Sequence, residues 1–391
     1  MPPFATAAVP IGLAGVVCAA VAPPLAPWVF QLAEAPVAAG LGVLDGIATW
    51  HGLDGTVPRA PALVAVLATA LAVAALVVPA RRHARLAAAA AVAVMLGAGL
   101  APRIRAHLRT APEVTFLAVG HGDAAVVSLP RARTWLVDAG PGLEARRGGA
   151  PSVVVPALGA LGATRVDVLV ASHLQLDHVG GLGALLERFD VGEIWLPAGV
   201  PCPSWLTRDL ERAARRGTAL VELSAATAPF ERDGFAVEVL HPPRDPAGLT
   251  ANDASLVLRL RTPGGSVLFA GDVEREGERL LVAAARDARA DVLKVPHHGS
   301  ATSSSFALLR AVAPRIAVVS APRGSLRHPS SEVVARLTAL GARVLDTGRD
   351  GAVTVRLAPP TPAVIRPSQS CAAVKPASEA LGATAAASVP R

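Results

Sequence analysis

The chain has 391 residues, which is long enough for two domains or more. It is 52% hydrophobic with a mean hydropathy of +0.46, a balance that favours membrane segments or a very Ala-rich core. The formal net charge is +7, and 35 of the 37 basic residues are Arg; such a charge attracts polyanions but does not identify a nucleic-acid-binding protein. The cysteines, Cys18, Cys202 and Cys371, have spacings that suit neither a disulfide framework nor a cysteine-type zinc site.

The first hundred residues are almost free of charge and contain apolar runs at 4–22, 62–80 and 86–101. A helix needs about 20 residues to cross the hydrocarbon core of a membrane, so the first two runs qualify and the third is short. The basic segment 81–85 should face the cytoplasm, which places the rest of the chain on the opposite side. We predict a transmembrane helical region over 1–104. A cleaved signal peptide for the first run, and buried soluble helices for all three, remain alternatives.

Residues 112–358 differ in pattern from the first hundred residues, because their apolar runs are short and are bounded by Gly, Pro and Asp. The runs predict strands at 114–119, 124–129, 134–137, 166–171, 193–196, 236–240, 255–260, 266–270, 292–295, 316–319, 343–345 and 353–357. Helices are predicted at 181–189, 205–216, 274–288, 303–313 and 331–340. The early strands follow one another as in hairpins and the later ones alternate with helices, which favours an α/β sandwich of two sheets flanked by helices. Residues 359–391 are rich in Pro, Ala and Ser and predict a disordered tail.

Histidine and aspartate side chains follow three of the predicted strands. His173, Asp177 and His178 come after the strand at 166–171, Asp272 ends another, and the pair 297–298 follows a third. Side chains at strand ends are held rigidly while remaining open to substrate. Because His and Asp are suitable ligands for Zn²⁺ and Mn²⁺, we predict a divalent metal site here. A bound metal lowers the pKa of a coordinated water from about 16 to about 7, and Asp272 would bridge two such ions.

These residues carry a family resemblance. The order His173-x-Gln175-x-Asp177-His178, then a strand-end Asp272, then His297-His298-Gly299, resembles the metallo-β-lactamase fold. More narrowly, the region is similar to the C-terminal domain of ComEC-type DNA-internalisation competence proteins. The matching segments are 118–125, 136–140, 173–181, 252–257, 269–272, 294–300, 328–329 and 347–351.

The resemblance implies a metallo-β-lactamase-like αββα sandwich over 112–358 that holds two divalent metal ions, Mn or Zn. It also implies that the hydrophobic region 1–104 is similar to the last helices of the family's membrane domain. Full-length members carry many more helices, so we expect a truncated or split member with a partner that supplies the missing helices.

By resemblance the metal ligands would be His173, Asp177, His178, Asp272 and His297, with His298 as the rival for the last position. Asp177 and Asp272 would also be catalytic. Substrate-binding residues would be Asp123, Asn252, Asp253, His298, Ser300 and His328. Asp123 and Asp138 would border the site, with turn capping as their alternative role. Ser300 and Thr302 would donate to a phosphate near a helix start at 303, or would simply cap that helix.

Gln175 departs from the family pattern, in which this position is commonly His or Asp. A neutral amide is a poorer ligand than imidazole or carboxylate, so one metal position is expected to be weak or completed by water.

The leading functional hypothesis is a membrane-anchored, metal-dependent DNA phosphodiesterase or nuclease that acts in DNA uptake during natural transformation. It would lie in the inner membrane with its hydrolase domain outside the cytoplasm. One alternative is a hydrolase of the same fold that acts on a lactone or nucleotide. The other is a non-catalytic remnant that binds nucleic acid or a partner.

Overall fold

The computed structural model describes residues 81–142, 153–284 and 287–365, together with Pro24. The chain divides into two compact units, 1–102 and 103–391.

Helix α1 (Arg81–Leu108) begins in the first unit and ends in the second. The third predicted membrane span, 86–101, falls within this helix. Within the described part of the chain, no helix combines the length and apolarity needed to cross a membrane, so that span is not confirmed. The predicted spans at 4–22 and 62–80 lie outside the described residues. A transmembrane region over 1–104 therefore stays a prediction.

The second unit alternates strands and short helices. The strands are β1 (Glu113–Phe116), β2 (Ala125–Ser128), β3 (Thr134–Val137), β4 (Val166–Val170), β5 (Val191–Pro197), β6 (Ala219–Leu223), β7 (Phe230–Arg232), β8 (Phe235–His241), β9 (Val257–Thr262), β10 (Gly265–Phe269), β11 (Val292–Lys294), β12 (Ile316–Val319), β13 (Arg343–Asp346), β14 (Val353–Arg356) and β15 (Ala363–Ile365). The helices are α2 (Val154–Ala160), α3 (Leu176–Val179), α4 (Leu182–Arg188), α5 (Ser204–Arg215), α6 (Arg275–Ala284), α7 (Phe306–Val312), α8 (Ser331–Ala339) and α9 (Thr347–Asp350).

The strands form two sheets. One has the order β15-β14-β1-β2-β3-β4-β5-β6 and the other the order β13-β12-β11-β10-β9-β8-β7. One apolar core lies between the sheets, and each sheet packs its other face against its own layer of helices. The predicted α/β sandwich of two sheets flanked by helices is confirmed.

Side chains of a single strand pack into both apolar cores, the one between the sheets and the one under the helices. On β3, Trp135 and Val137 belong to the core between the sheets, and Leu136 belongs to the core under the helices. The Trp135 ring packs against Trp195 and Phe235, with centroid distances of 5.1 and 5.7 Å. Because both faces of these sheets are covered, their strands appear in the sequence as continuous apolar runs, which made them predictable.

The topology brings several loops to one edge of the sandwich. Strands β3, β4, β5 and β6 run parallel in one sheet, and β10, β11, β12 and β13 run parallel in the other. The carboxyl ends of parallel strands meet at the same edge of a sheet, where α/β folds commonly bind ligands. Since β2 runs antiparallel to β3, and β9 to β10, the segments that lead into β2 and β9 reach the same edge.

Three strands were not predicted from the sequence. β6 is largely exposed, β7 has three residues, and β15 lies within the segment predicted as a tail. β15 pairs antiparallel with β14, so regular structure extends past the predicted tail start at 359. The remainder, 366–391, lies outside the described residues.

Candidate metal centre

Four side chains converge at the shared edge of the two sheets: Asp177, His178, Asp272 and His298. One ligand atom from each lies within 4.8 Å of all the others. Asp272 Oδ2 is 3.4 Å from His178 Nε2 and 3.5 Å from His298 Nε2. The Asp177 side chain is 29% exposed, whereas the other three are at most 4% exposed. The cluster is therefore a buried pocket of donors that opens to solvent at Asp177.

Short turns after three strands deliver these side chains. After β4 the chain reaches the single-turn helix α3, which carries Asp177 and His178 side by side. Asp272 follows β10, and its N–H donates to Ser255 Oγ at 3.1 Å. His298 lies in the 3₁₀ turn Pro296–Gly299, where its backbone is left-handed with φ of 54°. Non-glycine residues held in that region occur preferentially at functional sites.

The donor set fits a divalent cation. Among the described residues, His178 Nε2, His298 Nε2 and Asp272 Oδ1 are buried and have no hydrogen-bond partner. Leaving a buried polar atom unpaired costs about 1–3 kcal/mol, so several converging at one point call for a ligand. Two imidazoles and two carboxylates suit Zn²⁺ or Mn²⁺. These four residues would hold the ion.

Asp138 fixes the orientation of His178. Its Oδ2 lies 2.9 Å from His178 Nδ1, and Ser172 donates to the Asp138 carboxylate from both its N–H and its hydroxyl, each at 2.8 Å. A carboxylate on Nδ1 sets the tautomer that leaves Nε2 free for a metal. Asp138 thus lies behind His178, at the border of the cluster.

The carboxylates of the cluster favour the charged form of its imidazoles. Burial lowers the pKa of His178, but the Asp272 and Asp138 carboxylates outweigh burial and raise that pKa well above its ordinary value. Burial also opposes charge on His298, yet Asp123, Asp177 and Asp272 raise its pKa to about 9. Burial alone would raise the pKa of Asp272, but His178 and His298 hold it well below its usual range. The cluster is built to carry positive charge.

His173 lies beside the four donors and is not one of the atoms within 4.8 Å. Its ring is fully buried, with its centroid 3.9 Å from that of His178, and its Nε2 has no partner among the described residues. Burial and the neighbouring His178 lower the pKa of His173 to about 3, so its imidazole is neutral. Within the described part of the chain, its Nε2 is therefore an unpaired donor atom beside the cluster.

The amide of Gln175 is engaged outside the cluster. Gln175 is exposed, and its Nε2 donates to Asn252 Oδ1 at 2.9 Å. The predicted site residue Asn252 therefore lies at the rim, where it holds the side chain that departs from the family pattern.

Two predicted assignments need correction. His297 was the predicted ligand, but its Nδ1 is 3.0 Å from Glu274 Oε1, and its rival His298 joins the carboxylates. Asp253 was a predicted substrate contact, but its Oδ1 accepts from the N–H groups of Glu274 and Gly277 at the start of α6. Its carboxylate serves a helix end because the first backbone N–H groups of a helix lack partners.

The sequence predicted that Ser300 and Thr302 contact a phosphate near a helix start, and the structure shows other contacts there. Their hydroxyls lie 2.8 Å apart, and α7 begins at residue 306. The buried Glu278 carboxylate accepts from the N–H groups of Ser304 and Ser305, ahead of that helix. A carboxylate of the protein itself therefore lies ahead of α7, and the Thr302 hydroxyl donates to Glu274 Oε1.

His328, a predicted substrate-binding residue, lies at the rim of the cluster. Its ring centroid is 6.1 Å from that of His297, 6.3 Å from that of His121 and 6.4 Å from that of His298. His121 is exposed, and His328 is half-buried.

Asp123 was predicted to touch substrate, but it is 4% exposed and lies behind His298. Its Oδ1 is 3.5 Å from His298 Nδ1, and its Oδ2 is 2.7 Å from the ammonium of Lys294. Sequence reasoning gave Lys294 no role; its occurrence as a polar residue in the apolar run 292–295 was the available signal.

Gly122 brings two loops into backbone contact. Its φ is +112°, and a Cβ there would lie 2.1 Å from the carbonyl oxygen of Asp177. Next to it, the Asp123 N–H donates to that same oxygen at 3.2 Å. The loop before β2 is thus tied to the turn that carries a cluster carboxylate, and only glycine fits at position 122.

The placement of Gln175 predicts unequal metal binding. We expect the chain to bind one Mn²⁺ at the four-residue cluster and a second at least about tenfold more weakly, since His173 gains no charged neighbour from position 175. Gln175→Asp should strengthen the weaker site. Isothermal titration calorimetry of both proteins measures the two affinities. Asn252→Ala frees the amide without adding charge and should change neither affinity; two equally tight ions in the unaltered chain would contradict the prediction.

The comparisons with known proteins agree with this geometry. The model of the metallo-beta-lactamase superfamily matches residues 118–323. ComE operon protein 3 of Bacillus subtilis (strain 168) is 32% identical over 257 residues, which cover 62% of this chain and 33% of that protein. Competence protein ComA of Neisseria gonorrhoeae is 33% identical over 242 residues, which cover 61% of this chain and 31% of that protein.

The matched part of the chain spans about a third of the length of these two relatives. Among solved structures, CmlA, a diiron beta-hydroxylase from Streptomyces venezuelae, aligns with a TM-score of 0.43 and 18% identity over 64% of this chain and 55% of that one. The resemblance predicted from the sequence motifs is confirmed. The chain belongs to the metallo-beta-lactamase superfamily, and its homologues are competence proteins.

Proposed function

We propose that the chain is a metal-dependent phosphodiesterase that cleaves DNA during DNA uptake. The observation that carries this proposal is the convergence of Asp177, His178, Asp272 and His298 with buried, unpartnered donor atoms. Membership of the superfamily supports a metal-dependent hydrolase. The names of the relatives, a competence operon protein and a competence protein, support DNA as the substrate.

The residues of the cluster have different roles in the proposed reaction. When bound, the cation supplies a Lewis acid that polarises a phosphoryl oxygen and acidifies a coordinated water. Asp272 is buried between two imidazoles, and its negative charge would hold the cation in place. Asp177 is the solvent-facing carboxylate, so it can accept a hydrogen bond from an entering water and orient that water toward phosphorus. The orienting carboxylates keep both Nε2 atoms directed inward.

The loop after β12 carries exposed arginines, and these favour an anionic substrate. Arg323 and Arg327 are both exposed. Leu326 at the tip is fully exposed, and His328 follows at the rim of the cluster. Because β11 and β12 run parallel, this loop leaves the sheet at the same edge as the turn that carries His298. We assign the two guanidinium groups to the DNA backbone.

This assignment predicts a change in salt dependence. Replacing Arg323 and Arg327 together with Ala should lower the slope of log K against log salt concentration by about 1.4–1.8, because each neutralised phosphate contributes about 0.7–0.9. Fluorescence anisotropy of labelled DNA in EDTA measures binding without cleavage. The matched control is the double replacement of Arg315 and Arg343, exposed arginines at the opposite ends of β12 and β13. Equal slopes for both double variants would show that the loop is not part of the DNA-binding surface.

We also propose that residues 1–104 anchor the chain in the inner membrane, with the hydrolase domain outside the cytoplasm and a partner that supplies further helices. The uncharged runs at 4–22 and 62–80 support anchoring, and the basic segment 81–85 supports the orientation. In spheroplasts, added protease should digest the hydrolase domain. Recovery of the chain in the soluble fraction would refute the anchor, and protection from protease would refute the orientation.

The direct test is a cleavage assay on the full chain. With Mn²⁺, single- or double-stranded DNA should be degraded, and EDTA should stop the reaction. Asp272→Asn should abolish cleavage, whereas Asp245→Asn, which changes an exposed loop aspartate in the same way, should not. Hydrolysis of lactones without cleavage of DNA would assign the chain to another substrate class. A chain that binds no metal and is inert on both substrates would be a non-catalytic member.

A further inference from the structure

Two arms of buried side chains meet at Asp272. We call the first the Ser172 arm: Ser172 donates to Asp138, and Asp138 lies 2.9 Å from His178 Nδ1. The opposite nitrogen of that imidazole, Nε2, is 3.4 Å from Asp272. In this arm neutral donors hold the carboxylate that orients the ligand.

The second, the Lys294 arm, has a charged anchor and a looser contact between carboxylate and imidazole. The Lys294 ammonium is 2.7 Å from Asp123 Oδ2 and also donates to the carbonyl oxygen of Val295 at 3.0 Å. Asp123 Oδ1 is 3.5 Å from His298 Nδ1, an ion-pair contact without a hydrogen bond. His298 Nε2 is 3.5 Å from Asp272, on the same side as His178 Nε2. The Lys294 and Asp123 side chains are each 5% exposed. The two imidazoles are therefore each backed by a carboxylate and face the same metal position.

The identity of residue 294 is unusual for this chain. Lys294 and Lys375 are its two lysines among 37 basic residues, the rest being Arg. On β11, Val292 points into the core between the sheets and Leu293 toward the helices, so Lys294 returns to the inter-sheet side. Burying an ammonium there is costly unless it is paired. A compact ammonium can be directed at a single carboxylate in that space, whereas a planar guanidinium needs a wider, forked partner.

We propose that Lys294 is a positioning residue of the metal centre: its ammonium fixes Asp123, and Asp123 holds the His298 ring with Nε2 directed at the ion. Lys294 itself touches neither ion nor substrate. Partners of this kind are worth about 10–100-fold in metal affinity when removed. The inference rests on the proposed metal site and is independent of DNA as the substrate.

The test is the affinity of the full chain for Mn²⁺, measured by calorimetry without DNA. Lys294→Met should raise the Kd about 10–100-fold, and so should Asp123→Asn. Because both changes act through one arm, the double variant should bind no more weakly than the weaker single variant, a non-additive result. Lys294→Arg, which keeps the charge and changes the shape, should fall between Lys294→Met and the unaltered chain.

Arg259 provides a matched control. It is another buried cation, 3% exposed, and it pairs with Glu238 and Asp287 away from the cluster. Arg259→Met should lower the melting temperature and leave the Mn²⁺ Kd within about twofold. If Lys294→Met alone does not fold, the double variant with Asp123→Asn decides the question, because it leaves no unpaired buried charge.

A Kd within about twofold of the unaltered chain, in folded Lys294→Met or in the double variant, would overturn the inference. A fully additive loss in the double variant would also overturn it, since the two residues would then act separately. Tight Mn²⁺ binding by a chain that fails to cleave DNA would refute the proposed function and leave the role of Lys294 intact. Absence of metal binding by the unaltered chain would refute both.

Discussion

Replacing His178 with Ala is expected to weaken Mn²⁺ binding by at least about 100-fold and to abolish cleavage of DNA. Losing a residue that only orients a ligand costs about 10–100-fold in metal affinity, so losing the ligand itself should cost more. The change also leaves Asp138 and Asp272 without the imidazole that faces both of them. Calorimetry gives the affinity, and a labelled DNA substrate gives the rate.

The matched control for this prediction is His107→Ala. His107 is exposed, and its Nδ1 lies 2.9 Å from the carbonyl oxygen of Arg103 in α1. It should retain both metal affinity and activity. Full cleavage by folded His178→Ala at the same Mn²⁺ concentration would show that the reaction does not use this cluster.

Metal loading is expected to strengthen steeply as the pH rises from 6 to 8. The pKa of His298 is raised to about 9, so its imidazole carries a proton across this range, and the pKa of His178 is also raised. A metal must displace such a proton, and each displaced proton makes the affinity about tenfold higher per pH unit below the relevant pKa. We therefore expect at least about tenfold tighter Mn²⁺ binding at pH 7 than at pH 6.

Proton release can be counted directly. Titrating Mn²⁺ into the chain in two buffers with different heats of ionisation should show between one and two protons released per ion at pH 7. His298→Asn should release fewer protons, because it removes one of the two raised groups. An affinity that is flat between pH 6 and 8, with no proton release, would show that the ion binds elsewhere.

Much of the site was predictable because its ligands sit at the ends of buried strands. The apolar runs before Asp177, His178 and Asp272 identified the strands, and the two-sheet topology then brought their ends together. Adjacent residues were harder to separate. Both His297 and His298 have left-handed backbone, with φ of 48° and 54°. No helix or strand periodicity applies in such a turn, so the sequence did not show which ring turns inward.

Asp253 lies away from its predicted place for a different physical reason. It is a carboxylate close to the motifs, and it accepts from the backbone N–H groups of Glu274 and Gly277 at the start of α6. A carboxylate suits a metal and a helix start equally well, so composition near a motif does not separate the roles. Lys294 was missed because its partner, Asp123, is 171 positions away along the chain and meets it only when the two sheets pack.

The glycine at position 122 lets the loop that leads into β2 rest directly on the backbone of Asp177. Folding alone therefore brings the Asp177 carboxylate and the Asp123 carboxylate behind His298 into register. A cation entering such a pre-organised cradle orders few additional torsions, so little conformational entropy is lost on binding. Recognition at this edge then depends mainly on charge and desolvation, and a closing lid is not required to assemble the donors.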